Sequence, residues 1–201
     1  MQQTNCKFSI YSDEELMFYL SNGEELAFEE LYNRYSKRLL GYFIRMLNFD
    51  KNLAEDALQD LFLKIAEAPE KFDKSRSFKT WIFSVASNSC KNYYRHKKVV
   101  SESVEEIKYM NESVSDMAFL NTAGKMDAVL FRKRLDEVLN ELAPEKKEAF
   151  ILKYQEEKTI AEIAWIQNCP EGSVKSRLHY TIKVLEEKLK IFKPEIKNGK
   201  Q

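Results

Sequence analysis

Apolar residues recur at helical spacing in seven stretches of this chain, with polar breaks between them. From Glu25, the run FEELYNRYSKRLLGYFIRML places Phe28, Leu31, Tyr32, Tyr35, Leu39, Phe43 and Met46 on one side of a long amphipathic helix. Asn48-Phe49-Asp50 breaks it, and LAEDALQDLFLKIAEAP predicts a second helix with Leu53, Ala57, Leu61 and Ile65 buried and Pro69 closing it. After the polar stretch EKFDKSRSF, the run FKTWIFSVASNSCKNYYRHKK resumes the pattern with Phe78, Trp81, Ile82, Val85 and Ser89 inward. A short extra helix before Glu25 would complete a three- or four-helix unit.

Residues 101–121 keep no sustained period and carry five acids against one base, the signature of a linker. Periodicity returns near Ala128 with Leu130, Leu135, Val138, Leu139 and Leu142. Pro144 then suits the first turn of EKKEAFILKY, where its missing N–H is not needed. Thr159 and Glu162 form a capping-box pattern that opens a short helix carrying Ile160, Ile163, Ala164 and Ile166. Gln167-Asn168 ends that helix, since Asn tolerates a left-handed backbone. Pro170 leads into another, with Val174, Leu178, Ile182, Leu185 and Leu189 as its buried stripe. Two helices joined by so tight a corner make a helix-turn-helix, whose second helix can enter a DNA major groove.

Composition narrows the function without naming it. Only five Gly and four Pro in 201 residues favour helices, and 32 basic against 32 acidic residues restrict any nucleic-acid attraction to local patches. Cys6, Cys90 and Cys169 are far apart and His96 and His179 are isolated, so free thiols are expected and neither a metal site nor any cofactor is. No basic leader precedes an apolar run, and no run approaches a membrane span, which predicts a cytoplasmic protein without membrane insertion.

Three helix faces carry candidate chemistry. Asp56, Gln59, Asp60 and Leu63 share one face of the second helix, either a solvated acidic stripe or a docking surface. Residues 87–98 hold Lys91, Arg95, Lys97 and Lys98 and no acid. There Asn88, Lys91, Arg95 and Lys98 align along a face suited to phosphates, near Phe72, Phe78, Trp81, Tyr93 and Tyr94. Basic groups among aromatics can hold single-stranded bases, although aromatics at helical spacing also serve as core. On the last helix Ser173, Lys175, Ser176, Arg177, His179 and Tyr180 lie off the apolar stripe, where they are either DNA readers or an ordinary solvated face.

NELAPEKKEAFILKYQEEKTIAEIAWIQNCPEGSVKSRLHY resembles domain 4 of bacterial extracytoplasmic-function sigma factors of the sigma-70 family. FEELYNRYSKRLLGYF, AEDALQDLFLKI and FKTWIFSVASNSCKNYYRHKK resemble domain 2, in the same order. The resemblance implies an all-α fold of two small helical domains joined by a flexible acidic linker: an N-terminal segment over 1–24, domain 2 over 25–98, the linker over 99–127, domain 4 over 128–193 and a tail over 194–201. It implies a protein that makes and breaks no bonds, directs core RNA polymerase to promoters and partners an anti-sigma factor. Asp56, Gln59, Asp60 and Leu63 would dock on the clamp coiled coil of the polymerase, and domain 4 would meet its flap. Phe72 and Asn88 would hold an unstacked base of the opened −10 strand, with Lys79, Lys91 and Arg95 guiding its backbone, and Trp81 is either a further −10 contact or core. The last helix would read the −35 element as duplex through Ser173, Lys175, Ser176, Arg177, His179 and Tyr180.

This chain departs from the family's commonest pattern at four positions. Tyr180 and Ile182 stand where arginines are frequent, and Glu157 and Asn168 where glycine is frequent. An enzyme is disfavoured by the lack of a phosphate loop, ligand cluster or nucleophile arrangement. A stand-alone helix-turn-helix regulator would need neither the acidic nor the aromatic-basic helix, and an all-helical adaptor would leave the basic patches without a role.

Overall fold

A computed structural model describes residues 8–103 and 123–192, with side chains described for 8–97 and 128–192. Cys6, the Lys98 side chain, the acidic stretch over 104–122 and the tail over 194–201 lie outside the described residues. Among the described residues every regular element is a helix. The chain divides into two compact units, with the main boundary at residues 111 and 112.

The first unit contains α1 (Asp13–Ser21), α2 (Glu25–Met46), α3 (Lys51–Glu67) and α4 (Phe78–Ser103). Ser12 and Glu15 start α1 as a reciprocal capping box, the Glu15 N–H donating to the Ser12 hydroxyl at 3.2 Å and the Ser12 N–H to the Glu15 carboxylate at 2.7 Å. Arg34 pins α1 and the residues before it against α2. Its guanidinium meets Asp13 at 2.8 Å and Glu30 at 2.7 Å and donates to the Ser9 and Tyr11 carbonyls, while the Tyr35 hydroxyl donates to Asp13. Glu14 of α1 then accepts the otherwise unpaired Phe78 N–H that opens α4, at 2.8 Å. The short helix expected before Glu25 is thus tied into the unit.

Between α2 and α3 the chain turns on Asn48 and Phe49, both left-handed at φ 57° and 66°, and Asp50 caps α3 by accepting the Leu53 N–H at 3.0 Å. Phenylalanine has little tolerance for that conformation, so this corner carries strain. The core of the unit includes Leu31, Leu39, Tyr42, Phe43, Phe78 and Phe83.

Its stripes differ from the periodic expectation on three helices. Tyr32 is 40% exposed, and its ring rests on Phe62 with a centroid separation of 4.8 Å. On α3 Leu53 and Ala57 are only half-buried, while Ala54, Leu58 and Phe62 join Leu61 and Ile65 inside. The reason is that α3 packs against both α2 and α4, which takes two adjacent side-chain rows rather than one. On α4, similarly, Phe83, Ala86 and Cys90 are buried while Val85 and Ser89 sit at the boundary.

The second unit contains α5 (Ala123–Asn140), α6 (Pro144–Tyr154), the start of α7 (Ile160–Gln167), whose residues from Trp165 on group with the first unit, and α8 (Glu171–Lys188). Helix thus runs through Ser103 and resumes at Ala123, inside the interval expected as linker. Val138, Leu139, Phe150, Leu185 and Leu189 form the core cluster, with Leu135, Leu142 and Ile182 packed against it. Leu130, expected in the stripe, is exposed, because only the C-terminal half of α5 reaches that cluster. Cys90 and Cys169 are free thiols, the first buried and the second half-buried.

The corner between α7 and α8 is built as its residues suggest. Thr159 and Glu162 make the capping box, with contacts of 2.8 and 3.2 Å, and Asn168 takes the left-handed conformation at φ 52° while the Cys169 N–H returns to the Ala164 carbonyl at 2.9 Å. Pro170 precedes α8 as its N-cap.

Candidate nucleic-acid and polymerase interfaces

The acidic face of α3 is solvent-facing along its length. Asp56, Gln59 and Asp60 are exposed, and Leu63 on the same face is 56% exposed although the helix has two apolar rows in which to bury a leucine. An apolar side chain left among carboxylates suits a partner that offers cations around an apolar spot.

The second face lies on α4 and the loop before it. Phe72, expected at a base pocket, and Trp81, expected as a −10 contact or core, are only 7% and 8% exposed and pack edge to face at 5.3 Å, each also against Phe78 at 5.7 Å. They close on each other as core, with no ring surface open for stacking. Asn88 and Arg95 are exposed on α4, and Lys79 and Lys91 are half-buried. The Arg95 guanidinium donates to the Asn92 side-chain carbonyl one turn away. Tyr94 is half-buried and donates its hydroxyl to the Met46 carbonyl, which makes it a brace between α4 and α2. Tyr93 is also half-buried, and burial followed by the nearby Asp50 charge pushes its phenol pKa up.

The loop holding Phe72 is shaped by Asp73, whose carboxylate accepts the Ser75 N–H at 2.9 Å. Hydrogen bonds from Ser75, with a smaller contribution from Arg76, hold the Asp73 pKa below its ordinary value. Lys74 and Arg76 stand exposed on this turn.

The third face is the first half of α8. Val174, Leu178 and Thr181 are buried, which turns Lys175, Ser176, His179 and Tyr180 outward and leaves Ser173 and Arg177 half-buried. Arg177 and Lys175, alike in sequence, differ in setting. One Arg177 guanidinium nitrogen donates to the Cys169 sulfur in the corner at 3.2 Å, whereas the Lys175 side chain extends to solvent. Tyr180 is 47% exposed, with the Lys146 ammonium from the first turn of α6 lying over its ring, 3.4 Å from the centroid. The sequence carries no local signal for this contact, since a lysine just after Pro144 gives no sign of which distant ring it will meet. No group of three or more His, Cys, Asp or Glu placed to hold a metal occurs among the described residues. Nor is any helix among them long and apolar enough to cross a membrane.

Comparison with known proteins agrees with this arrangement. The model of Sigma-70 region 2 matches residues 31–99, and that of Sigma-70 region 4 matches residues 132–183, so the two span the helices that carry all three faces. The chain is 28% identical over 169 residues to RNA polymerase sigma factor CarQ of Myxococcus xanthus, covering 84% of this chain and 92% of that one. It is 25% identical over 177 residues to the ECF RNA polymerase sigma factor SigW of Bacillus subtilis, covering 85% and 93%. In fold it resembles the sigma factor RpoE from Bartonella quintana, solved with the anti-sigma factor NepR, with a TM-score of 0.66 at 21% identity over 82% of this chain and 97% of that one. It also resembles CnrH, solved with the cytosolic domain of CnrY, with a TM-score of 0.65 at 20% identity over 90% and 99%. With both regions matched in order and relatives aligned along nearly their whole length, the chain belongs to the sigma-70 family of RNA polymerase sigma factors, in its extracytoplasmic-function group, and serves promoter-directed transcription initiation.

Proposed function

We propose that the two units divide promoter recognition between them: α8 reads the −35 element as duplex, and α4 with the loop before it holds the opened −10 strand, while the α3 face docks on the polymerase clamp. The observation that carries this reading is the outward placement of Lys175, Ser176, His179 and Tyr180 at the start of the second helix of a helix-turn-helix. A helix so placed presents donors to base edges in the major groove. Lys175 is assigned to a base edge and Arg177 to bracing the corner, because Arg177 is already engaged with Cys169.

In the first unit Asn88 and Arg95 supply polar and cationic contacts to the displaced strand, aided by Lys79 and Lys91. Phe72 and Trp81 form the apolar wall against which an unstacked base settles once their packing opens. The carboxylates of Asp56 and Asp60 meet cations of the clamp coiled coil, with Gln59 and Leu63 between them. Domain 4 meets the flap, and an anti-sigma factor covers these surfaces when the protein is held inactive, a reading supported by the fold neighbour solved with the anti-sigma factor NepR. The protein carries out this role in the cytoplasm as a binding factor and not as an enzyme.

The test is run-off transcription with bacterial core RNA polymerase and the purified chain on a promoter panel. Initiation from a subset of promoters is expected. DNA binding without initiation would replace this reading with that of a stand-alone regulator. A variant with Asp56→Lys and Asp60→Lys is expected to lose co-purification with core polymerase, and normal co-purification would remove the α3 face from the interface.

A further inference from the structure

We infer that Lys146 is a phosphate-contacting residue of the duplex-binding surface, held in place by the ring of Tyr180. This rests on the reading of α8 as the duplex-facing helix. Ser173, Ser176, Tyr180 and Lys183 follow one row along α8, at intervals of about one helical turn, with all but Ser173 exposed. A helix that inserts its N-terminal half into a groove rises out of it along such a row. Tyr180, two turns in, therefore stands near the groove's edge, where phosphates are.

Its ring carries no charge of its own to offer them. Lys146 brings one from another helix: its ammonium lies 3.4 Å from the ring centroid, close enough for the quadrupole of the ring to hold the cation. Lys146 forms no ion pair among the described residues. The backbone of Lys146 also lies against α8, its carbonyl 3.5 Å from the hydroxyl of the buried Thr181, which donates to the Arg177 carbonyl at 2.9 Å. A half-buried stem, an aromatic seat and a charge beside the recognition row give a pre-positioned cation rather than a freely sweeping one.

The experiment measures the salt dependence of binding of the reconstituted holoenzyme to a promoter duplex that it selects in transcription. Each phosphate contact contributes about one to the slope of log K against log salt. Lys146→Gln is expected to lower the slope by about one, equally on duplexes with altered −35 bases, while the thermal melt of the free protein stays unchanged. Lys146→Arg keeps the charge and is expected to keep the slope. Tyr180→Leu is expected to lower it, with no further loss when Lys146→Gln is added. If Lys175→Ala weakens binding but Lys146→Gln leaves the slope intact, the inference is overturned while α8 remains the reader. If neither changes binding, the reading of α8 and the inference fall together. A changed base preference in Lys146→Gln would also overturn it, because a phosphate contact carries no sequence information.

Discussion

Trp81 on α4 is 8% exposed and Tyr180 on α8 is 47% exposed, although both are aromatic rings on helices proposed to meet promoter DNA. The targets account for the difference. A duplex displays its groove edges before any opening, so its reader can be a standing surface with polar and cationic groups already outward. An unstacked base needs an apolar seat, and an empty apolar seat forfeits dispersion contacts on its open side. In the free protein Phe72, Phe78 and Trp81 fill that space with one another, at centroid separations of 5.3 to 5.7 Å. On the proposed roles, reading by one unit is a matter of contact, and by the other of contact after rearrangement.

The largest expected effect tests whether those rings are core. Trp81→Ala should destabilise the first unit by about 3–5 kcal/mol, the usual cost of emptying a buried aromatic site, measured by chemical denaturation of the free chain. Asn88→Ala, exposed on the same helix, should change stability by less than about 0.5 kcal/mol while weakening open-complex formation. Should Trp81→Ala melt like the parent and lose only promoter opening, the contrast between the two units would collapse, since the ring would be a reader with no structural duty.

How much of this could be seen in the sequence follows the same divide. On α8 the apolar row packs inward, and periodicity turns Lys175, Ser176, His179 and Tyr180 outward as the structure does, although Thr181 off that row is buried and Ile182 on it is only half-buried. On α3 and α4 the helices are covered on more than one side, two rows are buried, and periodicity misplaced Leu53 and Ala57 and passed over Phe62, Phe83 and Cys90. The acidic face survived this error because charge marks it whatever the width of the apolar stripe. Contacts between distant helices, such as Glu14 capping Phe78 or Lys146 over Tyr180, have no local signal and required the fold.

A smaller effect sharpens the second unit's side of the comparison. Lys175→Ala should reduce discrimination at one −35 base pair by about 1–3 kcal/mol, read as the loss of preference among promoters altered one position at a time. Arg177→Ala should instead weaken binding to all of them, because its link to Cys169 is a feature of the corner. A single-position effect from Arg177 with none from Lys175 would exchange the two assignments.

Smaller again is the effect of two non-glycine residues flanking α7 and held in the left-handed region. Glu157 and Asn168 sit at φ 55° and 52°. A side chain with a Cβ costs roughly 1–2 kcal/mol there, offset in part by the greater entropy that glycine loses on folding. Glu157→Gly should therefore raise stability by about 0.5–1 kcal/mol. Asn168→Gly should gain less, since asparagine tolerates the region. Denaturant midpoints of the two variants measure the ordering, and an equal or reversed gain would show that contacts of these side chains outweigh the backbone term.

The least effect concerns the loop before α4, where proton binding reaches the first unit's candidate pocket. Asp73 is held below its ordinary pKa chiefly by the hydrogen bonds from Ser75. A carboxylate whose pKa is depressed on folding contributes stability that is fully present above the unfolded value and is lost as pH falls through the folded one. The hydrogen bonds of the Asp73 turn are therefore kept at neutral pH and weaken only in acid, as pH falls below the ordinary aspartate value of 3.8. A titration followed by NMR should place the Asp73 carboxyl midpoint below that value, with exchange of the Ser75 amide quickening over the same range. Asp73→Asn keeps an acceptor oxygen and should hold the amide at low pH, whereas Asp73→Ala should release it at every pH. Because the turn sets the entry to Phe72, the Ala variant also asks whether a loosened loop lets the rings part more easily. Faster promoter opening with unchanged −35 binding would locate the rearrangement in this loop, and slower opening would mean that the ordered turn is what presents the wall to the base.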